Sequence, residues 1–399
     1  MSESLTQFKP FRGVRVLDMS QGLAGPYAAQ MLVMMGATVL KVEPPQGDWG
    51  RVMGVARDGH SSLSVSANWG KRAICVDARK PAGTDILKQL VRESDVVLES
   101  FRPGVLAKIG VGYPVLEQLR PGIILASISG FGSTGPHSTR PGSDSILQGS
   151  TGMSVMNETE EGTPKRVGML AVDMIAGLYA GFALSAAIHE QRATGQGRHL
   201  DLSLLGSASA FQAMPLIESH LQGGAKNKHV TVPSGNFATS DGMISVVCLR
   251  NEMFVALAQA IDHPEWAEDP RFADNESRQT NAEEVHRLLA GVFVRRTRSE
   301  WVERLNEAGV LCGPLNSYQE LQQDPQVRFL DLMPMVAHGA FGDIPMPRFP
   351  GAGLQAGELS PAPDLGQHTC ELLRESGYSQ SEIDSFLAAE VCIQARQSG

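Results

Sequence analysis

Val14-Arg15-Val16-Leu17-Asp18 and Thr38-Val39-Leu40-Lys41-Val42-Glu43 are two β-rich runs, and the helical stretch Gly25–Gly36 lies between them. A strand, a helix and a second strand in that order form a crossover unit, and such units join parallel strands. The rhythm continues outward. Ala73–Val76, Asp95–Glu99 and Ile123–Ser129 are further short β-rich runs, and Ala82–Glu93 has helical periodicity between two of them. The pattern predicts an α/β fold, with a mostly parallel sheet covered by helices.

Further along, Val167–Ile188 is almost wholly apolar, with Asp173 its only charge. Its length approaches a membrane span. It reads instead as a buried helix of a large core, because it stands alone and lacks flanking aromatic belts. Its small residues, Ala176, Gly177, Ala180, Gly181 and Ala183, would let another backbone approach closely, in tight helix packing or a dimer contact. A strand-like run follows at His199–Leu204, then a helical stretch to about Leu221. Gly223–Gly242 reads as a linker or mobile loop. Met243–Cys248 opens a smaller unit with helices near Phe254–Ile261, Ala282–Val294 and Ser299–Ala308. From Val310 the chain turns Pro- and Gly-rich, and Asp364–Ser376 and Gln380–Ala389 look helical.

Composition narrows the class. A chain of 399 residues is long for one core, so more than one domain is expected. Hydrophobic content of 42% with 19% charged residues suits a folded soluble protein without a membrane span. The net charge of -9 argues against generic nucleic-acid binding, though not against a local basic pocket. Met1 to Pro10 has no apolar run, so a secretory signal is not expected there. Cys75, Cys248, Cys312, Cys370 and Cys392 are scattered without a CxxC pair. That suits reduced thiols in a cytoplasmic protein, and no metal site is expected. HExxH, GxSxG and Walker A patterns do not occur.

Three loops directly follow strands, where open α/β sheets bind ligands. Ser20-Gln21-Gly22-Leu23-Ala24-Gly25-Pro26 could be an ordinary turn, or could present helix N-terminal N–H groups to an anion. Gly130-Phe131-Gly132-Ser133-Thr134-Gly135 matches GxGxxG, but Pro136 and Pro141 follow where a helix should open. Glu99-Ser100-Phe101-Arg102-Pro103-Gly104 ends a strand with an aromatic and a cation. Lys71, Arg72, Arg79, Lys108 and Arg140 are near in sequence. Singly these are solvated charges; together they could clamp the phosphates of a nucleotide-containing cofactor. Asp173 is the oddest residue chemically. A lone carboxylate in an apolar helix costs free energy unless it is paired. It reads as a cap, as half of a buried ion pair, or as a nucleophile.

Taken in order, many short runs resemble the family III CoA-transferases, the superfamily of formyl-CoA transferase and of carnitine and bile-acid CoA-transferases. Gly13–Asp18, Leu23–Ala28 and Met35–Pro44 look like its opening. Gly70-Lys71-Arg72, Glu99–Gly104, Ser129–Gly132, Thr134–Pro136 and Ala171-Val172-Asp173 are similar to its signatures. So are Thr194–Gly197, Asp269–Phe272, Cys312–Pro314 and Leu365–Thr369. The likeness spans essentially the whole chain.

The resemblance implies a Rossmann-like large domain, a smaller α+β domain and an interlaced homodimer. On that plan 1–222 is the first part of the large domain, 223–325 the linker and small domain, and 326–399 the return. It implies Asp173 as the catalytic nucleophile and coenzyme A as a co-substrate, with no tightly bound cofactor. By motif it implies CoA contacts at Gly22, Leu23, Ala24, Val76, Arg79, Ser100, Phe101 and Lys108, with Arg140 a looser match. Lys71, Arg72 and Arg102 join them as candidate phosphate partners. The partners are an acyl-CoA and a small carboxylic acid, with succinyl-CoA a candidate donor. Gly22 and Leu23 replace the Val-Gln pair of formyl-CoA transferase, Pro44 stands where that enzyme has Arg, and no run of four glycines occurs near Pro233–Gly235. These departures count against formate and oxalate. Three alternatives remain. An intramolecular transferase would use the same aspartate. An α-methylacyl-CoA racemase needs a His where Gly142-Ser143-Asp144 supplies serine, a poor proton shuttle. A non-catalytic CoA-binding protein would not need Asp173.

Overall fold

A computed structural model describes residues 8–159, 162–224 and 230–395. The chain divides into two compact units, Met1–Ala213 with Leu332–Gly399, and Met214–Asp331.

The first unit is built on the crossover pattern. The parallel strands of its main sheet are β1 (Arg15–Asp18), β2 (Thr38–Glu43), β3 (Arg72–Val76), β4 (Val96–Glu99), β5 (Ile124–Ser129) and β6 (Arg198–Ser203). They lie in the order β3-β2-β1-β4-β5-β6, all parallel, and the short strand Cys392–Ile393 adds antiparallel to the β3 edge. Both faces are covered over the strands β1 to β4, which explains their near-continuous burial, whereas the edge strand β6 has no buried residue. Val16, Val39 and Leu98 bury on one face with helices α1 (Ala24–Met34) and α4 (Ala171–Thr194). Leu17, Leu40 and Val97 bury on the other with α2 (Pro81–Arg92). The alternation follows from the two-residue period of a strand. Helices α3 (Asp144–Ser150) and α5 (Leu204–Phe211) pack against α4.

Helix α4 is the apolar segment of the sequence. It is long and apolar enough to cross a membrane, but one side of it lies in the core. Its glycines set how closely it meets α1. A Cβ on Gly177 would sit 2.9 Å from the Ala24 carbonyl oxygen, and one on Gly181 2.2 Å from the end of Met31. Contacts at 24 with 177 and at 31 with 181 mean that the two helices run in the same direction. Their N-termini therefore lie side by side, at the end of the sheet where β1 finishes. The opposite side of α4 is bare: Leu178, Tyr179 and Phe182 are exposed, Phe182 by 75%.

In the second unit the strands Leu311–Pro314, Met243–Val247 and Ser234–Ala238 form an antiparallel sheet in that order. Gly223–Gly242 is thus not simply a linker: Ser234–Ala238 is a strand, while residues 225–229 lie outside the described ones. Its Ser, Gly and Asn residues hide the strand pattern, and Phe237 alone is fully buried, opposite Ile244. Helices Asn251–Ala260, Ala282–Phe293 and Arg298–Glu307 complete the core. Trp301 is buried there, donating its indole N–H to the Phe293 carbonyl at 2.8 Å.

Candidate active site

The strand order reverses between β1 and β4, with β2 on one side of β1 and β4 on the other. Ligands of open parallel sheets bind in the crevice beyond such a switch point. The loop after β1 leads through Gly22 and Leu23 into α1, and the loop after β4 begins at Ser100. The two are tied together, since the Ser100 hydroxyl accepts the Gln21 N–H at 2.8 Å. Gly22 has φ +78° and donates its N–H to Asp48 at 2.8 Å. The positive φ there calls for glycine, and a Cβ would also lie 2.0 Å from the Trp49 ring, which would have to move. Leu23 and Ala24 begin α1, and helix-opening N–H groups have no carbonyl one turn earlier to bond.

Val76, Arg79 and Phe101 line one cavity of about 250 Å³, together with Gln21, Pro44 and Ile109. The Arg79 guanidinium is 76% exposed at its edge and pairs with Asp77 at 2.8 Å. Arg102, Lys108 and Arg140 are exposed, with Arg140 stacked 5.3 Å over the Phe131 ring; none of the three lines that cavity. Lys71 and Arg72 are placed differently from the phosphate clamp expected of them. Lys71 is fully buried, with its ammonium 2.8 Å from Asp18 and 2.9 Å from the Pro26 carbonyl. Arg72 bonds Glu371 and Glu375 at 2.9 and 2.8 Å. Spacing along the chain does not distinguish an inward from an outward lysine at the start of an edge-proximal strand.

Asp173 sits in the first turn of α4. Leu170, at the N-cap position, makes no side-chain cap. Asp144, the first residue of α3, does that work from elsewhere in the chain. Its carboxylate accepts the N–H of Val172 at 2.7 Å, the N–H of Asp173 at 3.3 Å and the Gln148 amide at 2.7 Å. Gln148 also accepts the Val167 N–H at 2.9 Å, so α3 clamps the approach to α4 at two points. Burial, and then the nearby Asp144 charge, push the Asp173 carboxyl up to about 7. The helix N-terminus acts the other way, and burial with like-charge repulsion outweighs it. The result is a carboxyl that is ionised only near neutrality and above.

Asp144 and Gln148 are the members of this site that the sequence conceals. Gly142-Ser143-Asp144 stands out only beside the racemase triplet, and no spacing rule pairs 144 with 172. Ser143 is the N-cap residue of α3 and makes no side-chain cap bond. The GxGxxG stretch opens no helix: the next one is α3, and a Cβ on Gly130 would meet the Gly142 backbone at 2.9 Å. Its glycines serve loop packing. Among the described residues no three His, Cys, Asp or Glu side chains are grouped to hold a metal.

The sequence pattern of CoA-transferase family III matches residues 11–369. The succinyl-CoA:glutarate CoA-transferase of Homo sapiens is 33% identical over 97% of this chain and 91% of its own length. The succinate–glutarate CoA-transferase of Agrobacterium fabrum is 32% identical over 94% of this chain and 98% of its own. Among solved structures, Rv3272 of Mycobacterium tuberculosis superposes with a TM-score of 0.81 at 32% identity, covering 91% of this chain and 99% of that one. A CaiB/BaiF family protein of Brucella suis gives 0.80 at 31% identity, over 93% and 100%.

Proposed function

This chain belongs to CoA-transferase family III, and we propose that it moves CoA from an acyl-CoA to a free carboxylic acid through a thioester on Asp173. The observation that carries this reading is the placement of Asp173. It is a carboxylate in the first turn of an apolar helix, whose N-terminus lies beside that of α1 and its Gly22–Ala24 loop.

The chemistry then balances without an external base. An Asp173 oxygen attacks the thioester carbonyl, and the C–S bond breaks to release CoA thiolate and leave a mixed anhydride. The thiolate attacks the aspartyl carbonyl, expelling the donor acid as its carboxylate and leaving aspartyl-CoA. The acceptor carboxylate attacks that thioester, again freeing thiolate and forming an anhydride. Thiolate attack on the acceptor's acyl carbonyl gives the new acyl-CoA and restores Asp173. Several easy displacements replace one hard one. Each tetrahedral intermediate bears an oxyanion. The helix-opening N–H groups of Leu23 and Ala24 are its donors, each worth roughly 3 kcal/mol by comparison with other oxyanion holes. Val76, Arg79, Phe101 and Ser100 belong to the CoA-holding side, where remote binding orients the thioester. The dicarboxylate relatives make succinyl-CoA and a C4–C5 diacid the first pair to try. The test is a mass-spectrometric panel of acyl-CoA donors against free acids. CoA moving to an added acid is the expected result. No exchange across a broad panel that includes succinyl-CoA with glutarate would count against intermolecular transfer.

The working form we infer is a cytosolic homodimer with interlaced subunits. Five free thiols support a reducing compartment, and the bare apolar side of α4 supports burial against a second copy. Linked rings separate only by unfolding. Sedimentation should therefore show a dimer that persists on dilution to well below about 1 μM. A reversible monomer–dimer equilibrium near that concentration would argue against interlacing.

A further inference from the structure

Five charged side chains, Asp18, Lys41, Glu43, Asp48 and Lys71, are buried together under the loop that opens α1, and the partly buried Arg51 joins them as a third cation. Burying so many charges is a poor way to stabilise a sheet, since apolar groups of similar volume commonly do as well or better. Their contacts show what apolar groups could not do. Asp18 accepts the Ser20 N–H at 3.1 Å and also its hydroxyl. Lys41 donates to the Ser20 carbonyl and to Asp48. Asp48 accepts the N–H of Gly22 and of Gly50, each at 2.8 Å. Lys71 spans from Asp18 to the Pro26 carbonyl at 2.8 and 2.9 Å. Glu43 and Arg51 close the far side, Glu43 accepting the Asp48 N–H at 2.9 Å. The network thus grips the backbone at 20, 22 and 26, on both sides of Leu23 and Ala24 in the chain.

We propose that Lys71 is a positioning residue for CoA transfer: through Asp18 and the Pro26 carbonyl it holds the Ser20–Ala24 loop where its N–H groups meet the thioester at Asp173. This rests on the reading of Asp173 and that loop given above. Lys71 touches no substrate and acts only through the loop. The ionisable groups facing it are Asp18 from β1, Lys41 from β2 and Asp48 from the loop after β2, while α1 presents the Pro26 carbonyl. Burial brings its ammonium down to about 8, against the pull of Asp18. Above that pH the lysine becomes neutral and the ion pair between Lys71 and Asp18 is lost. The folded pKa lies below the ordinary 10.5, so the folded chain holds this proton less tightly than the unfolded one. Raising the pH between those values therefore costs no stability at this group. A fall in activity with no fall in melting temperature separates positioning from unfolding.

The experiment is steady-state transfer and thermal melting from pH 7 to about 9.5. It compares the wild type, Lys71→Met and the charge-balanced pair Asp18→Asn with Lys71→Met. Wild-type kcat is expected to fall reversibly above pH 8 while the protein stays folded. Both variants should lose about tenfold or more in kcat, with KM for acyl-CoA changing by less than about threefold. Both should also lack the Lys71 part of the alkaline limb, and the balanced pair should melt close to wild type. A folded balanced pair with wild-type kcat, or a wild-type profile flat to pH 9.5, overturns the proposal. Should neither variant fold, the wild-type profile and its melting curve decide. Asp173→Ala in the same assay keeps the two readings apart. If it stays active, the nucleophile assignment fails; if it is dead while the Lys71 variants are unimpaired, only the positioning role fails.

Discussion

Asp173→Ala is expected to lose CoA transfer by several orders of magnitude while still binding acyl-CoA, because the covalent route disappears with the carboxylate and water offers no equivalent path. Trapping wild type with hydroxylamine or borohydride during turnover should modify Asp173 alone. An alanine variant that keeps even about a tenth of the wild-type rate would refute the assignment. The pH profile carries a second expectation. The reacting species is the ionised carboxylate, and the group is pushed up to about 7. Thus kcat/KM should rise about tenfold per pH unit below that value and level off above it. Stability should move the opposite way. A carboxyl raised in the folded state binds its proton more tightly there than in the unfolded chain. The stability it contributes is present at low pH and is lost as pH rises through about 7. Asp173→Asn should therefore melt higher than wild type at pH 8, with little difference at pH 4. Equal melting at both would mean that the carboxylate is not strained where it sits.

Asp144 should show the next largest effect, through its hold on the N-terminus of α4. Asp144→Ala leaves the Val172 and Asp173 N–H groups without their acceptor, while the Gln148 amide keeps only the Met169 carbonyl. Loss of a cap and of buried hydrogen bonds to a charge amounts to about 3 kcal/mol. The start of α4, which carries Asp173, should fray first and show it in amide exchange. Asp144→Asn separates charge from capping, since it keeps an oxygen acceptor and removes the negative charge. Its acid limb of kcat/KM should shift to lower pH, because the repulsion that helps hold the Asp173 carboxyl up is gone. An Asn variant with an unmoved limb would assign the elevated value to burial alone.

Much of the fold is legible along the chain because it is local. The runs at β1, β2 and β4 and the helices α1 and α2 stand within a residue or two of where periodicity puts them. Both faces of the sheet are buried over β1 to β4, so these strands carry strong apolar runs that loops do not imitate. Ser234–Ala238 escaped because only Phe237 marks it. Cys392–Ile393 escaped because a two-residue edge strand has no period at all.

By itself the sequence determined the element types, the α/β class, the odd carboxylate at 173 and, through its ordered motifs, the family. These depend on side-chain chemistry and short-range spacing, which a linear string contains in full. The tertiary structure alone decided which charges are available. Lys71 and Arg102 are both cations beside strand ends, yet one is sealed against Asp18 and the other stands in solvent. It alone brought Asp144 to the N–H groups of Val172 and Asp173, across 28 and 29 residues of chain. It alone set the N-termini of α1 and α4 side by side through Gly177 and Gly181. The reason is physical. Whether a charge is a ligand or a buried strut depends on what surrounds it in three dimensions, because desolvation and partner geometry, not residue type, set its energy.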